Sequence, residues 1–267
     1  MSKYVLIGIA VIVSSLVILV TYLQRTALDP QVLHNDILLL KNGDTVRDFA
    51  EMLTRISSLD SSVPIMTWVV ITGRSSRLKA GEYRVNKGDS IEDIVSQVVA
   101  GKVIERSITF PEGFEARDFI NRLNSAKYLS REKGDLSTEL IKQSIGTEYE
   151  MLEGLFFPDT YHYIRSDSPI SILRRAHKAL KLKLQEAWSG RDNDLYLKSP
   201  YELLILASII EKEAVFENEK PIISGVFRNR LKKNMRLQTD PTVIYGLGDG
   251  FNGKLTRSHL TEDTPYN

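Results

Sequence analysis

The sequence contains no cysteine and only four histidines. The first absence excludes disulfides and thiolate metal sites, whatever the redox compartment. The histidines (His34, His162, His177 and His259) are scattered and form no H-E-x-x-H or similar pair. No structural metal is expected from such a set. A surplus of charge is missing too: 35 basic residues face 34 acidic ones, for a net charge of +1. That balance gives no reason to expect a nucleic-acid partner. A hydrophobic content of 42% argues against disorder. At 267 residues the chain is long enough for more than one domain with its own core.

What the sequence does have, at its start, is a long run without charge. "YVLIGIAVIVSSLVILVTYL" extends from Tyr4 to Leu23, the length needed to cross a bilayer as a helix. Tyr4 and Tyr22 stand at its ends, where interfacial aromatics are favoured. Gln24, Arg25 and Thr26 do not supply the small-x-small pattern of a signal-peptidase site, so an uncleaved anchor over 4–23 is expected. Lys3 and the terminal amine oppose Arg25, and the positive-inside rule barely decides orientation. Residues 1–3 precede the span as a short tail. The folded mass therefore lies on its C-terminal side, after a short tether, "RTALDPQV".

"HNDILLL" then reads as a strand, and "KNGDTVRDFAEML" as a turn followed by an amphipathic helix. A second copy of that turn and helix start, "NKGDSIEDIVSQVV", follows 45 residues later. In each copy Gly-Asp makes the turn and Thr45 or Ser90 can cap the helix. Asp48 and Asp93, three residues on, stand where a capping box has its acid. "SVPIMTWVVI" between them predicts a helix and "GEYRV" a strand. Together these form a small α/β module over residues 35–105. "NGDTVRDFA" resembles the opening of the LysM fold, and that resemblance implies a glycan-binding module.

"VIERSITF" reads as a strand leading into "PEGF", a tight turn before a helix around Glu115 to Asn124. The domain boundary is placed near residue 105, and the pattern over 106–267 is mainly helical. "SILRRAHKALKLKLQEAW" is a long basic amphipathic helix with a solvated charged face. "SPYELLILASIIEKEA" is the next helix, with Ser199 as its cap and Pro200 at the first helical position. A further helix, "PIISGVFRNRLKK", begins at Pro221. The expected fold class is α+β: a membrane helix, a small α/β module, and a mainly helical domain with few strands.

Chemistry is sought in "ASIIEKEAVFENE", residues 207–219, where four glutamates follow an apolar run. A helical wheel groups Leu203, Leu206, Ile209, Ile210 and Ala214 into one apolar stripe. Lys212 and Glu219 fall on the opposite face, and Glu211 lies at the stripe's edge. Glu213, one turn beyond Ile209 and Ile210, points along the apolar face; Glu217 does so too, at or past the helix end. A carboxyl in apolar surroundings has its pKa raised by desolvation, which suits a general acid. The competing reading pairs Glu213 with Arg228 or Arg230 in a structural ion pair. The wheel leaves both open.

Longer motifs carry a resemblance. "ASIIEKEA", "SGVFRNRL", "MRLQTDPTVIYGLG" and "NGKLTR", with "LKAGEYRV", "FPEGF" and "EGLFFPDTYHY" upstream, closely resemble the MltG (YceG-like) endolytic murein transglycosylases. The likeness covers nearly all of the chain from residue 35 onward. It implies a bacterial inner-membrane protein whose catalytic domain, here 106–267, faces the periplasm. It implies cleavage within peptidoglycan glycan strands, at the MurNAc–GlcNAc bond, leaving a 1,6-anhydro-MurNAc end. Peptidoglycan is then the substrate, peptidoglycan synthases are expected partners, and no cofactor is required.

The resemblance assigns the catalytic acid to the second glutamate of E-K-E, Glu213. Gln238, Thr239 and Asp240, in an expected loop before Pro241, and Tyr245 and Asn229 are candidate sugar contacts. The alternative for each is hydrogen bonding in a loop or cap. Phe156, Phe157 and Tyr161 read as core aromatics. Glu213 is followed by Ala214, so a role for a hydroxyl at that position is not transferred. The chain stops at "TEDTPYN" where the family pattern continues, so a C-terminally shortened catalytic domain is expected. Two other functions stay open at this stage: a non-enzymatic, membrane-tethered wall-binding scaffold, and a hydrolysing muramidase with Glu217 or Asp240 as second carboxylate.

Overall fold

In the computed structural model, which describes residues 3–130, 136–192 and 195–267, the N-terminal apolar run forms helix α1 (Lys3–Leu28). The run contains no proline, and the helix ends just ahead of Pro30, where the residue before proline is driven out of helical geometry. Residues 3–22 are exposed throughout. By length and composition the helix suffices to cross a membrane. Of the expected tail 1–3, Met1 and Ser2 lie outside the described residues, and Lys3 already belongs to α1.

The tether expected at 25–32 is not free chain. The helix continues into it as far as Leu28, with Thr26 and Ala27 buried, as is Leu23 just before it. Leu23 and Ala27 are four residues apart and so share a face. Beyond the helix, the N–H groups of Gln31 and Val32 both donate to the Asp89 carbonyl, each at 3.2 Å. Pro30 bridges Ser90, and Val32 bridges Ser57. Helix propensity and these bridges leave no slack in the segment.

The chain divides into two compact units. The first comprises residues up to Arg106, Tyr128–Ser130 and His162–Asp167. After α1 it contains β1 (Asp36–Leu40), α2 (Val46–Ile56), α3 (Val63–Ile71), β2 (Gly81–Val85) and α4 (Ile91–Ala100). Strands β1 and β2 are antiparallel, with Asp36 opposite Val85 and Leu40 opposite Gly81. Both repeated helix starts are realised as full capping boxes. Thr45 and Ser90 accept from the backbone N–H groups of Asp48 and Asp93, whose side chains reach back to the cap N–H groups. The turns ahead of them need positive φ, which Gly43 (93°) and Gly88 (89°) supply without a Cβ clash. Phe49, Leu53, Tyr83, Val85 and Ile94 are central to the core that results.

One buried charge stands beside that core. Glu82, on β2, is only 3% exposed and makes ion pairs with Arg106 (2.6 Å) and Arg165 (2.8 Å). The Arg106 guanidinium lies 4.0 Å from the centroid of the Tyr128 ring, a favourable cation–π contact. Burial by itself would raise the Glu82 carboxyl. Hydrogen bonds and charge from Arg106 and Arg165 outweigh it and hold the group below the ordinary carboxylate value.

The second unit comprises Ser107–Lys127, Arg131–Tyr161 and Ser168–Asn267. A two-stranded sheet pairs β3 (Arg106–Thr109) with β4 (Thr160–Tyr163). The helices are α5 (Ala116–Ser125), α6 (Thr138–Ile145), α7 (Pro169–Ser189), α8 (Pro200–Glu213), α9 (Lys220–Lys232), α10 (Asp240–Leu247) and α11 (Arg257–Thr261). Within this unit Phe110 stacks on Phe119 at 4.3 Å between ring centroids, and Phe156 and Tyr161 join them. The core reading of Phe156 and Tyr161 is thereby met; Phe157 is half-buried. The described residues are thus mixed in structure and mainly helical, with four short strands.

The Glu82 cluster makes a stability prediction with a sign. Removing the carboxylate that pairs with two guanidiniums leaves their charges uncompensated, so Glu82→Ala should cost about 3 kcal/mol at pH 7. Because the folded pKa is lowered, this stabilisation is present above the unfolded value and lost as pH falls through the folded one. The gap between wild type and Glu82→Gln in urea melts should therefore close at acid pH. A pH-independent gap would show that charge is not the cause.

Candidate active site

Helix α8 starts where the sequence says it should. Ser199 caps it by accepting from the Glu202 N–H (3.2 Å), and Pro200 occupies the first turn. Leu206 and Ile209 are buried and form a small core with Phe227 of α9. The helix ends at Glu213, with the Ala214 N–H closing on the Ile210 carbonyl at 3.0 Å.

Glu213 itself is exposed, which corrects the apolar environment expected from the wheel. The wheel fixes an angle, not a depth. Leu203, Ile210 and Ala214 of the expected stripe are only half-buried, and the final turn emerges beyond the Leu206–Ile209 core.

The neighbouring acids are put to other uses. Lys220 ion-pairs with Glu211 (2.7 Å) and with Glu217 (2.6 Å), and the hydrogen bonds it donates to those carboxylates raise its ammonium pKa. Glu217 lies past the helix end and opens a short 3-10 turn over Glu217–Glu219. Glu219, expected to face solvent, is half-buried and accepts from the N–H groups of Val215 and Phe216, both at 3.0 Å. It closes the turn between α8 and α9. Val215 and Phe216 remain largely exposed beside Glu213.

Thr239 is the candidate contact that the fold brings to Glu213. It is buried, and its hydroxyl donates to Glu213 Oε2 at 3.1 Å. Thr239 is also the N-cap of α10, yet its side chain makes no capping bond. The hydroxyl that would ordinarily serve the helix start is turned to the carboxylate instead.

Arg230 organises the approach to Thr239, donating to the carbonyls of Arg236 and Leu237 (3.0 and 3.1 Å) and to Gln238 Oε1 (2.9 Å). Gln238 adopts φ 55°, a left-handed conformation uncommon outside glycine. Asp240, expected in a loop, is the first residue of α10 and exposed; an acid there complements the helix dipole. Asn229 lies exposed on α9.

Tyr245 belongs to a second cluster in the same unit. It is half-buried on α10, in edge contact with Tyr266 at 5.3 Å. Burial, reinforced by the nearby Glu153 carboxylate, pushes its phenol up to about 12. Glu153 was not singled out from the sequence, although it opens the "EGLFFPDTYHY" motif. It is half-buried and accepts from the Ala116 N–H at 3.0 Å. Desolvation raises its pKa, and the charges of Glu115 and Asp118 add to the shift. The partly desolvated carboxyl sought at Glu213 is found here.

This cluster adjoins α8. A Cβ on Gly154 would lie 3.5 Å from Leu204, and one on Gly113, in the PEGF turn, 3.7 Å from Lys212 Nζ. Among the described residues no group of three or more His, Cys, Asp or Glu could hold a metal ion.

Residues 38–267 match the profile of the YceG-like family. The chain is similar to the endolytic murein transglycosylase of Bacillus subtilis (strain 168), 26% identical over 245 residues, covering 85% of this chain and 67% of that protein. It is also similar to the endolytic murein transglycosylase of Streptococcus pneumoniae serotype 2 (strain D39 / NCTC 7466), 28% identical over 225 residues. That match covers 71% of this chain and 40% of the relative. The chain thus spans 67% of the first relative's length and 40% of the second's. A crystal structure of a YceG-like protein from Listeria monocytogenes matches with a TM-score of 0.50 and 26% identity, covering 88% of this chain and 82% of that chain.

The raised Glu153 carboxyl predicts a pH effect opposite to that of Glu82. An acid whose folded pKa lies above its unfolded value favours the folded state at low pH and loses that contribution as pH rises. Glu153→Gln keeps an acceptor for the Ala116 N–H and removes the titration. Urea melts across pH 4–8 should show the variant gaining on wild type as pH rises; parallel curves would reject the assignment.

Proposed function

Because the chain belongs to the YceG-like family, we propose that it is an endolytic peptidoglycan lytic transglycosylase, with Glu213 as its single catalytic acid and base. The observation that carries this reading is the placement of Glu213: exposed at the end of α8, with Oε2 tied to the Thr239 hydroxyl. An exposed carboxyl is accessible to a polymer, and one fixed oxygen leaves the other free to face the scissile bond.

In the proposed reaction the protonated Glu213 carboxyl gives its proton to the oxygen joining MurNAc to GlcNAc. The bond from that oxygen to the anomeric carbon of MurNAc breaks, and GlcNAc leaves with a free hydroxyl. The C6 hydroxyl of the same MurNAc attacks the anomeric carbon and forms the 1,6-anhydro ring. Its proton passes to the Glu213 carboxylate, which restores the acid. A hydrolase needs a second carboxylate to manage water or a covalent intermediate. Here the nucleophile is already tethered to the reacting sugar, with the advantage of intramolecular attack. Of the two second acids a hydrolytic scheme would use, Glu217 is engaged by Lys220 and Asp240 lies exposed at the start of α10. The bound strand supplies the dry surroundings that the free protein lacks around Glu213.

The rest of the chain fits the same reading. Residues 106–267 form the catalytic domain, in which Gln238, Thr239, Asp240, Tyr245 and Asn229 are candidate sugar contacts. Residues 35–105 form the LysM-like module, supported by the β1–α2–α3–β2 order with an antiparallel strand pair. Residues 4–23 anchor the protein in the bacterial inner membrane, with the catalytic domain in the periplasm.

Glu213→Gln should change stability by no more than about 0.5 kcal/mol, as expected for an exposed position. It should lower release of anhydro-ended fragments by about 100-fold or more, the usual contribution of a general acid. Sacculi digested with the full chain and analysed by mass spectrometry provide the readout. Products one water heavier, with reducing ends, would instead identify a hydrolase, and binding without release a wall-binding scaffold. A folded Glu213→Gln variant with normal turnover would sink the assignment.

Asp240→Ala separates sugar contact from helix support. Lower activity at an unchanged melting temperature places Asp240 on substrate, while equal losses of both assign it to the α10 N-terminus.

A further inference from the structure

This inference rests on the reading of α1 as a membrane span. Helix α3 has the sequence "VPIMTWVVI", apolar on both faces except for the half-buried Thr67. Ile65 and Val69 point into the core of the first unit at 1% and 0% exposure, while Val63, Val70 and Ile71 are 57%, 55% and 59% exposed. A helix apolar on both sides calls for two apolar surroundings. The core supplies one.

The neighbours of α3 identify the other. It packs against α1, whose buried residues are confined to Leu23, Thr26 and Ala27 at the C-terminal end. The apolar run finishes at Leu23, and twenty helical residues span roughly the 30 Å of a hydrocarbon core. The contact with α3 therefore lies within about one turn, ~5 Å, of the level where α1 leaves the bilayer. The segment following α1 is bridged to Ser57 and Ser90, so α3 is held at that level.

Charge points the same way. Residues 61–80 contain no acidic side chain, and α3 is followed by Arg74, Arg77 and Lys79. Arg74 is committed to Glu92, which also accepts from the Trp68 indole at 2.7 Å. Arg77 and Lys79 are exposed, as is Arg25 at the end of α1. An apolar helix face followed by exposed cations is the pattern of a segment lying in an anionic membrane surface.

We propose that α3 is an interfacial helix. Val63, Val70 and Ile71 sink into the headgroup–acyl boundary of the bilayer that α1 spans, while Arg25, Arg77 and Lys79 meet its anionic headgroups. The first unit would then rest on the membrane instead of hanging from it.

The absence of cysteine makes the test direct. Val70→Cys and Ile71→Cys in the intact 267-residue chain, both surface substitutions, carry an environment-sensitive fluorophore in nanodiscs containing phosphatidylglycerol and nitroxide-labelled lipids. Ile12→Cys reports on the span and Lys41→Cys on solvent. The expected result is a blue shift and loss of most emission at 70 and 71 with shallow nitroxides, quenching at 12 with deep ones, and neither change at 41. Quenching at 12 with 70 and 71 behaving like 41 overturns this inference alone. Lack of quenching at 12 overturns the span reading beneath it. Labels at 70 and 71 shielded from aqueous quencher but untouched by lipid nitroxides would put a second copy over this face and also overturn it.

Discussion

The pairing of Glu82 with Arg106 and Arg165 fixes the first unit. Its three members come from β2, from the start of β3 and from the segment after β4, and Tyr128 adds a fourth stretch through Arg106. A buried carboxylate without such partners would be costly, so any arrangement that separates these stretches is penalised. The strand carrying it is secured in two further ways. Tyr83, fully buried, donates its hydroxyl to the Lys79 carbonyl at 2.7 Å, and the Glu82 carbonyl accepts from the Ile104 N–H at 2.7 Å. With β2 fixed, the register of β1 follows, and so do the faces that α2, α3 and α4 must cover.

The second unit concentrates its unusual features where packing runs out. The small core of Leu206, Ile209 and Phe227 supports the middle of α8 and leaves its last turn unsupported. Local hydrogen bonding takes over from burial there. Glu219 closes the turn, Lys220 pairs with two acids, and Thr239 gives up its capping role to hold Glu213. Glu213 is left as a carboxylate held by one hydroxyl at an accessible helix end. The more buried carboxyl, Glu153, is satisfied by the Ala116 N–H and sits deeper, beside Tyr245.

Features encoded within a few residues were legible in the sequence. The capping boxes at Thr45 and Ser90, the Ser199–Pro200 start of α8, and strand β2 all follow from local stereochemistry and appear as expected. Features requiring a partner distant in sequence were not. Glu219 looked solvent-facing because an extended wheel assumed that the helix continued, whereas it stops at Glu213. The wheel gives Glu213 an angle on the helix and not a depth, and the helix end lifts it into solvent. Glu153 and Glu82 carry no local mark of their surroundings, since the residues that desolvate or neutralise them lie elsewhere in the chain. The apparent tether failed for a related reason: "RTALDPQV" is polar enough to be a linker, and only its bridges to Ser57 and Ser90 show otherwise.

The twin capping boxes have a consequence for how the first unit forms. Each specifies a helix start within four residues, so α2 and α4 can nucleate at once, before any distant contact exists to reward them. The pairing of β1 with β2 is different: Asp36 must find Val85, and closing so long a loop carries an entropic penalty that local helices do not face. Folding of this unit should then wait on strand closure, with both helices already fluctuating into place and the Gly-Asp turns setting the directions from which the strands meet.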